Sequence, residues 1–246
     1  MINASKLPEY FNKFTTEQPL EYTDLHIHTE DSDGLIKTDF LEDFLQNIPH
    51  LISITDHNSI NNNLKLCTTT DLNVVPGIEV GCKDSFEFLI YFNTPQDLED
   101  FYINSVEPFK NRYKITRTEK MYQFYLKEAK KYDSFISIPH IAGVAQKNYL
   151  KNKPYIKKVL QEVDALEIYN HAIPKNRNLI AQRLSTKENK LITFGSDAHI
   201  KKEIISFHNF QNNEFSKFSH FKKNFYNVCS IVALFGKHLF HLLEIG

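Results

Sequence analysis

Residues 22–35 read YTDLHIHTEDSDGL. Asp24, His26 and His28 fall at every second position, and Asp33 follows after a short acidic stretch. In an extended strand, positions i, i+2 and i+4 share one face. All three side chains of the first group would therefore point into a single cavity. A cation site follows if other strands supply partners.

Working outward, short apolar runs alternate with longer helical or polar ones. LISITDH, LNVVPGIEVG, FEFLIYF, SFISIPHI, VDALEIYN and LITFGSDAH join the opening run as strand candidates, each rich in Ile, Val, Leu, Phe or Tyr. Helices are expected over 38–47, 58–68, a long stretch from about 95 to 131, 154–160 and 175–189. Continuous apolar runs predict strands buried on both faces, as in a parallel sheet covered by helices, closing wholly or partly into a barrel. Polar residues recur where these runs end: Asp56 and His57, Glu79, His140, Asn170 and His171, then Asp197 and His199. In parallel α/β barrels the chemistry collects at the C-terminal ends of the strands, where adjustable loops build the rim.

The 246 residues carry a formal net charge of −1, which lacks the basic excess of a protein that coats long nucleic acid. The total hides a split: residues 1–100 hold 5 Lys/Arg and 18 Asp/Glu, residues 101–246 hold 24 and 12. Cation ligands could account for part of the front-half acidity, and the basic remainder could attract an anionic substrate. Cys67, Cys82 and Cys229 form no C-x-x-C pair, so neither a disulfide framework nor a thiolate site is suggested, and a reducing cytoplasm fits. Lys6, Glu9 and Lys13 interrupt the region where a signal peptide would be apolar. Neither an internal repeat nor a linker marks a boundary, so one domain over 1–246 is expected, with its core at about 20–200 and residues 205–246 as a helical cap. In that cap Ile231, Leu234, Phe235, Leu239, Leu242 and Leu243 recur at helical spacing. A helix packed on the domain is expected there, and no membrane anchor.

Imidazole nitrogen and carboxylate oxygen hold divalent ions of the zinc, manganese and iron type. The His26/His28 pair is matched by Asp197 and His199 at the same spacing on the last strand, with a TDH between them. DLHIHT with SDG, ITDHN, PGIEV, the strand-end His140 and GSDAH resembles, over roughly residues 20–200, the PHP (polymerase and histidinol phosphatase) family of metal-dependent phosphoesterases. The resemblance implies a distorted seven-stranded, TIM-like β/α barrel with two or three divalent ions (Mn²⁺, Zn²⁺ or Fe²⁺) at the C-terminal rim of its strands. It implies His26, His28, Glu79 and Asp197 around a first ion, and Asp33, His57 and His199 around a second. Glu79 would bridge to a third, shared with His140 and one further ligand. There the family usually has His and this chain has Glu87, which would favour a harder ion such as Mn²⁺ or Fe²⁺. Asp24 and Asp56 are placed to hydrogen-bond the far nitrogens of metal-bound imidazoles.

Such a cluster suits hydrolysis of a phosphate ester by a metal-activated water. His199 and His171 are candidate acids for the leaving group, beside the ligand Asp197. Arg112 and Arg117, with Tyr113 between them, and Arg177 are candidate phosphate binders, and Asn170 is placed to contact substrate or water. The expected substrate is a nucleotide or the end of a short nucleic acid. A small-metabolite phosphatase of the histidinol-phosphate type and an inactive PHP module serving as a scaffold remain alternatives. Whether a partner protein is needed stays open.

Overall fold

Each of the seven apolar runs forms a strand: β1 Tyr22–Ile27, β2 His50–Ile54, β3 Gly77–Gly81, β4 Glu87–Phe92, β5 Ser134–Ile138, β6 Ala165–Asn170 and β7 Leu191–Gly195. The computed structural model describes residues 6–16, 19–214 and 216–245. The strands divide into two sheets, a parallel β1–β2 pair and a five-stranded sheet in the order β3-β4-β5-β6-β7. An all-parallel sheet is not what forms, because β4 runs antiparallel to both β3 and β5. Burial on both faces produces the same apolar run for either direction, which is why the reversal could not be read from composition.

The sheets meet at two seams held by isolated parallel bridges, His57 with Glu79 on one side and Ile27 with Ala198 on the other. At the first seam Asn58 N donates to the Glu79 carbonyl at 3.0 Å. At the second, His28 N donates to the Ala198 carbonyl at 2.9 Å and Asp197 N to the His26 carbonyl at 2.8 Å. Both seams therefore run through the expected ligands. Between the sheets, a core of Leu25, Leu51, Leu89, Tyr91 and Phe135 is stoppered by Phe11 from the 3₁₀ turn Glu9–Phe14.

Outside the sheets lie α1 Thr38–Leu45, α2 Asn61–Thr69, α3 Pro95–Phe101, α4 Tyr122–Ala129, α5 Tyr149–Asn152, α6 Ile156–Glu162, α7 Lys175–Lys187, α8 Lys201–Gln211 and α9 Lys217–Ile245. The long helix expected from 95 to 131 is broken. After α3 the chain passes through a π turn, Tyr102–Val106, and a 3₁₀ turn, Glu107–Phe109, where Pro108 has no N–H to continue a helix. Residues 110–121 fold back instead: Lys110 pairs with Thr118, and the Asn111 side chain accepts from Tyr113 N and Lys114 N. Thr118 N and its hydroxyl both donate to the Gly81 carbonyl at 2.8 Å, which lays this basic loop across the end of β3.

The tail departs furthest from expectation. Ile231, Phe235, Leu239, Leu242 and Leu243 of α9 are exposed rather than packed. The helix turns a polar row to the domain, including Ser230, which is buried. By length and composition Phe218–Leu243 is apolar enough to cross a membrane.

Candidate metal centre

His26 is the penultimate residue of β1, and His28 follows two residues later where the chain leaves the sheet. The loop beyond curls because Asp56 accepts from Thr29 N at 2.7 Å, from Ser32 Oγ at 2.5 Å and from the Thr29 hydroxyl. That curl returns Asp33 to the histidines. Glu79 is the middle residue of β3 and Glu87 the first of β4. His140 and Asp197 follow β5 and β7 with φ of 32° and 55°, the left-handed region that non-glycine residues enter at a cost and that concentrates at functional sites.

Four donor atoms draw together: His26 Nε2 is 3.0 Å from His28 Nε2, and each lies 3.2–3.4 Å from Glu79 Oε2 and Asp197 Oδ1. Tetrahedral bonds of roughly 2.0–2.1 Å to nitrogen and oxygen require ligand–ligand edges of about 3.3–3.4 Å, so this set fits one ion. A second group joins His28, Asp33 and His199, with His199 Nε2 3.4 Å from Asp33 Oδ1. His57 stands between the two, its Nδ1 3.1 Å from Glu79 Oε2 and its Nε2 3.8 Å from Asp33 Oδ2. The third group is Glu79, Glu87 and His140, whose Nε2 lies 3.5 Å from Glu79 Oε1 and 3.4 Å from Glu87 Oε2.

Both oxygens of Glu79, Oδ1 of Asp197, Nδ1 of His28 and of His57, and both ring nitrogens of His140 are buried without a hydrogen-bond partner. Buried polar atoms ordinarily find partners, and an unmatched set of nitrogen and carboxylate donors around one glutamate is what divalent ions would satisfy. The electrostatics agree. Burial opposes ionisation of Asp33, but His57 and His199 outweigh it and hold the carboxyl well below its usual range. Burial likewise opposes charge on His28, yet Asp197, Glu79 and Asp33 push it up to about 10. His57, dominated by burial, is lowered to about 4.

Several assignments change once partners are visible. Asp24 and Asp56 brace backbone and hydroxyls instead of imidazoles: Asp24 accepts from Ser196 N at 2.8 Å and from the Tyr22 hydroxyl at 2.6 Å, tying β1 to the turn after β7. Burial is the main cause that raises its carboxyl to about 6. Glu167 supports the imidazole, accepting from His26 Nδ1 at 2.8 Å and from His140 N at 2.7 Å. It went unnoticed in the sequence as a single carboxylate inside an apolar strand. Asn170 donates to Glu167 at 3.0 Å and to Asp197 at 3.1 Å, so it props the ligands and is not turned to substrate. His171 points away, to the Tyr169 hydroxyl and Ser206 Oγ, both at 3.1 Å. Burial pushes its imidazole well below the usual range, and its ring nitrogens meet Tyr169 and Ser206 rather than the ligand cluster. Asp197 is unfit to give a proton: burial opposes its charge, but Lys147 and His26 outweigh that and keep it ionised.

Among the arginines, Arg117 pairs with Glu87 Oε1 at 2.5 Å, while the Tyr149 hydroxyl donates to Oε2 at 2.8 Å. Glu87 is thus in the centre, shared between His140 and a guanidinium. Arg112 is exposed on the basic loop, and Arg177 lies in the first turn of α7, without an ion pair to the centre's carboxylates among the described residues. Lys147, unremarked in the sequence because a loop delivers it, places Nζ 3.5 Å from Asp197 Oδ2 with its side chain 40% exposed. A cleft of about 770 Å³ runs outward from Asp33 past Lys83, Lys114, Arg117, Gln146 and His238. A smaller one, about 440 Å³, borders His57 with Lys110, Lys237 and His241.

No family model matches the sequence, and no curated protein matches it. Solved structures do. A chain assigned as a metal-dependent phosphoesterase from Bifidobacterium adolescentis superposes with a TM-score of 0.53 at 15% identity, over 79% of this chain and 98% of that one. The lesion-specific endonuclease Q of Pyrococcus furiosus gives 0.57 at 17% identity, over 72% and 48%. An endonuclease Q bound to a 27-mer duplex substrate with an abasic lesion at the active site gives 0.55 at 16%, again over 72% and 48%. The fold is therefore one shared with metal-dependent phosphoesterases, as the motif resemblance implied. This chain spans about half the length of the endonuclease chains.

Proposed function

We propose that the protein is a metal-dependent hydrolase of phosphate esters, acting on a nucleotide or on the end of a short nucleic acid. The observation that carries this reading is Glu79. Its two buried, unmatched oxygens face His26, His28 and His57 on one side and His140 on the other. The reading takes the strands as a distorted barrel whose seams bring the ligands together. His26, His28, Glu79 and Asp197 would hold one ion, Asp33, His57 and His199 a second, and Glu79, His140 and Glu87 a third.

Bound divalent ions supply positive charge to phosphoryl oxygens and lower the pKa of water into the neutral range. The chain's own groups do the rest. Glu167 orients His26, and Asn170 fixes the carboxylate of Asp197. His199 directs Nδ1 at the Asp197 carbonyl, 2.9 Å away, so Nε2 is left to face Asp33 as a ligand. Lys147, at the boundary between the centre and solvent, is placed to bind a phosphoryl oxygen: burial opposes its charge, but Asp197 and Glu87 outweigh that and keep the ammonium protonated. Arg117 balances Glu87.

The basic cleft beyond Asp33 favours a substrate with more than one phosphate or a flanking base, which exposed Tyr113 could stack. The endonuclease Q neighbours support the nucleic-acid class. Phosphomonoesters, dinucleotides and short single strands incubated with Mn²⁺ test the reading against the His26→Ala variant. Loss of about 4 kcal/mol of transition-state stabilisation predicts a roughly thousandfold fall in turnover. Equal turnover by both proteins would remove the hydrolase assignment.

A further inference from the structure

Helix α9 docks by its polar side. Lys223 Nζ donates to the Ile173 carbonyl at 3.3 Å, Asn227 to Ala172 at 2.8 Å, Lys237 to Glu30 and Gly34 at 2.8 and 2.9 Å, and His241 to Arg112 at 3.0 Å. These positions, with buried Ser230 between them, fall on one side of the helix and face inward. Outward, Phe218, Phe225, Val232 and Leu239 repeat every seven residues, and Phe221, Val228, Phe235 and Leu242 follow each of them by three. All eight are exposed, from 40% for Leu242 to 74% for Phe235; Ile231, Phe240 and Leu243, also exposed, flank them, and Phe235 borders the mouth of the cleft beyond Asp33.

We propose that this stripe is a dimerisation surface, on which α9 pairs antiparallel with α9 of a second copy of this chain. Spacing that alternates three and four without a break is the pattern of helices that wrap one another. A flat lipid surface asks for an apolar arc and not for a repeat, and on a straight helix this stripe drifts by about 20° per heptad. Spanning a bilayer would also strip Lys223, Asn227 and Lys237 from the carbonyls that hold them, at a cost of several kcal/mol. With roughly 150–250 Å² on each aromatic side chain, the eight residues offer on the order of 800–1,000 Å² per chain, the area each partner buries in a stable pair.

The order of residues selects the direction. Antiparallel pairing centred near Ser230 sets Phe218 against Leu242, Phe221 against Leu239, Phe225 against Phe235 and Val228 against Val232, so the outer layers pair phenylalanine with leucine. A parallel pair would stack phenylalanine on phenylalanine in its first three layers and bring the cationic turns around Lys222 together.

Sedimentation equilibrium of the full chain between 1 and 100 µM tests this. The expected mass is twice 28.8 kDa, falling to one chain in Val228→Glu/Val232→Glu with far-ultraviolet dichroism and metal affinity unchanged. A monomeric wild type, or a double variant that stays dimeric, would overturn the proposal. So would a monomer that cosediments with phosphatidylglycerol vesicles, which would make lipid the occupant. In a Phe218→Cys/Leu242→Cys chain, oxidation is expected to link 218 to 242 between copies, and a 218–218 link would overturn the antiparallel arrangement.

Discussion

Glu79 offers each of its oxygens to a different set of imidazoles, and the geometry of those imidazoles depends on groups one step removed. His26 is the clearest case. Its Nε2 can face Glu79 and Asp197 only while Nδ1 is held by Glu167, 2.8 Å away. Removing such a partner typically lowers metal affinity 10- to 100-fold. Glu167→Gln is therefore expected to weaken the tightest site by that factor, read by competition with a chromophoric chelator, while the dichroism spectrum stays unchanged. Unaltered affinity would mean that Glu167 does not orient the ligand. Individual residues were legible unevenly. The two i,i+2 pairs at 26/28 and 197/199 announce themselves by their shared spacing at strand ends, although only His26 lies within a strand and Asp197 reaches the centre through a left-handed turn after β7. Glu167 and Lys147 do not, since one sits alone in an apolar strand and the other arrives from a turn whose path no local pattern encodes.

At the scale of elements, the close contact between β7 and β1 constrains the centre. A methyl group on Gly195 would run into His26 Cβ and, at 2.8 Å, into its backbone nitrogen. Gly195→Ala is thus expected to lower stability by about 1–3 kcal/mol, the usual cost of overpacking, measured by urea unfolding of the metal-free protein. No loss would show that the seam has slack. The seven strands were evident from their apolar runs. Their directions were not, because a strand buried on both faces reads alike whether parallel or antiparallel, and β4 took the less expected course. The same ambiguity applies to α9: an apolar row at helical spacing fits burial inward or outward, and only the polar contacts of Lys223, Asn227 and Lys237 decide which face meets the domain.

For the molecule as a whole, the centre concentrates buried charges of both signs whose unmatched atoms ions would satisfy. A ligand that binds only the folded state, present at a hundredfold its Kd, stabilises by about 2.7 kcal/mol, or roughly 5–10 °C for a chain of this size. Scanning calorimetry with Mn²⁺ against chelator is expected to show that rise. His28, pushed up to about 10 before a metal arrives, must lose its proton to become a ligand, so affinity should strengthen as pH climbs from 6 to 8. Titration calorimetry in buffers of different ionisation enthalpy would reveal the released proton. A heat independent of buffer, or a melting point indifferent to metal, would contradict this picture.

The reversal of β4 has a consequence for tolerance to change. Glu79 and Glu87 sit on the two arms of one hairpin, with Gly81 opposite Glu87 across the ladder, so the connection between the arms works as a caliper. Lengthening or shortening it by a single residue would rotate Glu87 to the opposite side of its strand and open the jaw that Arg117 and Tyr149 now hold shut.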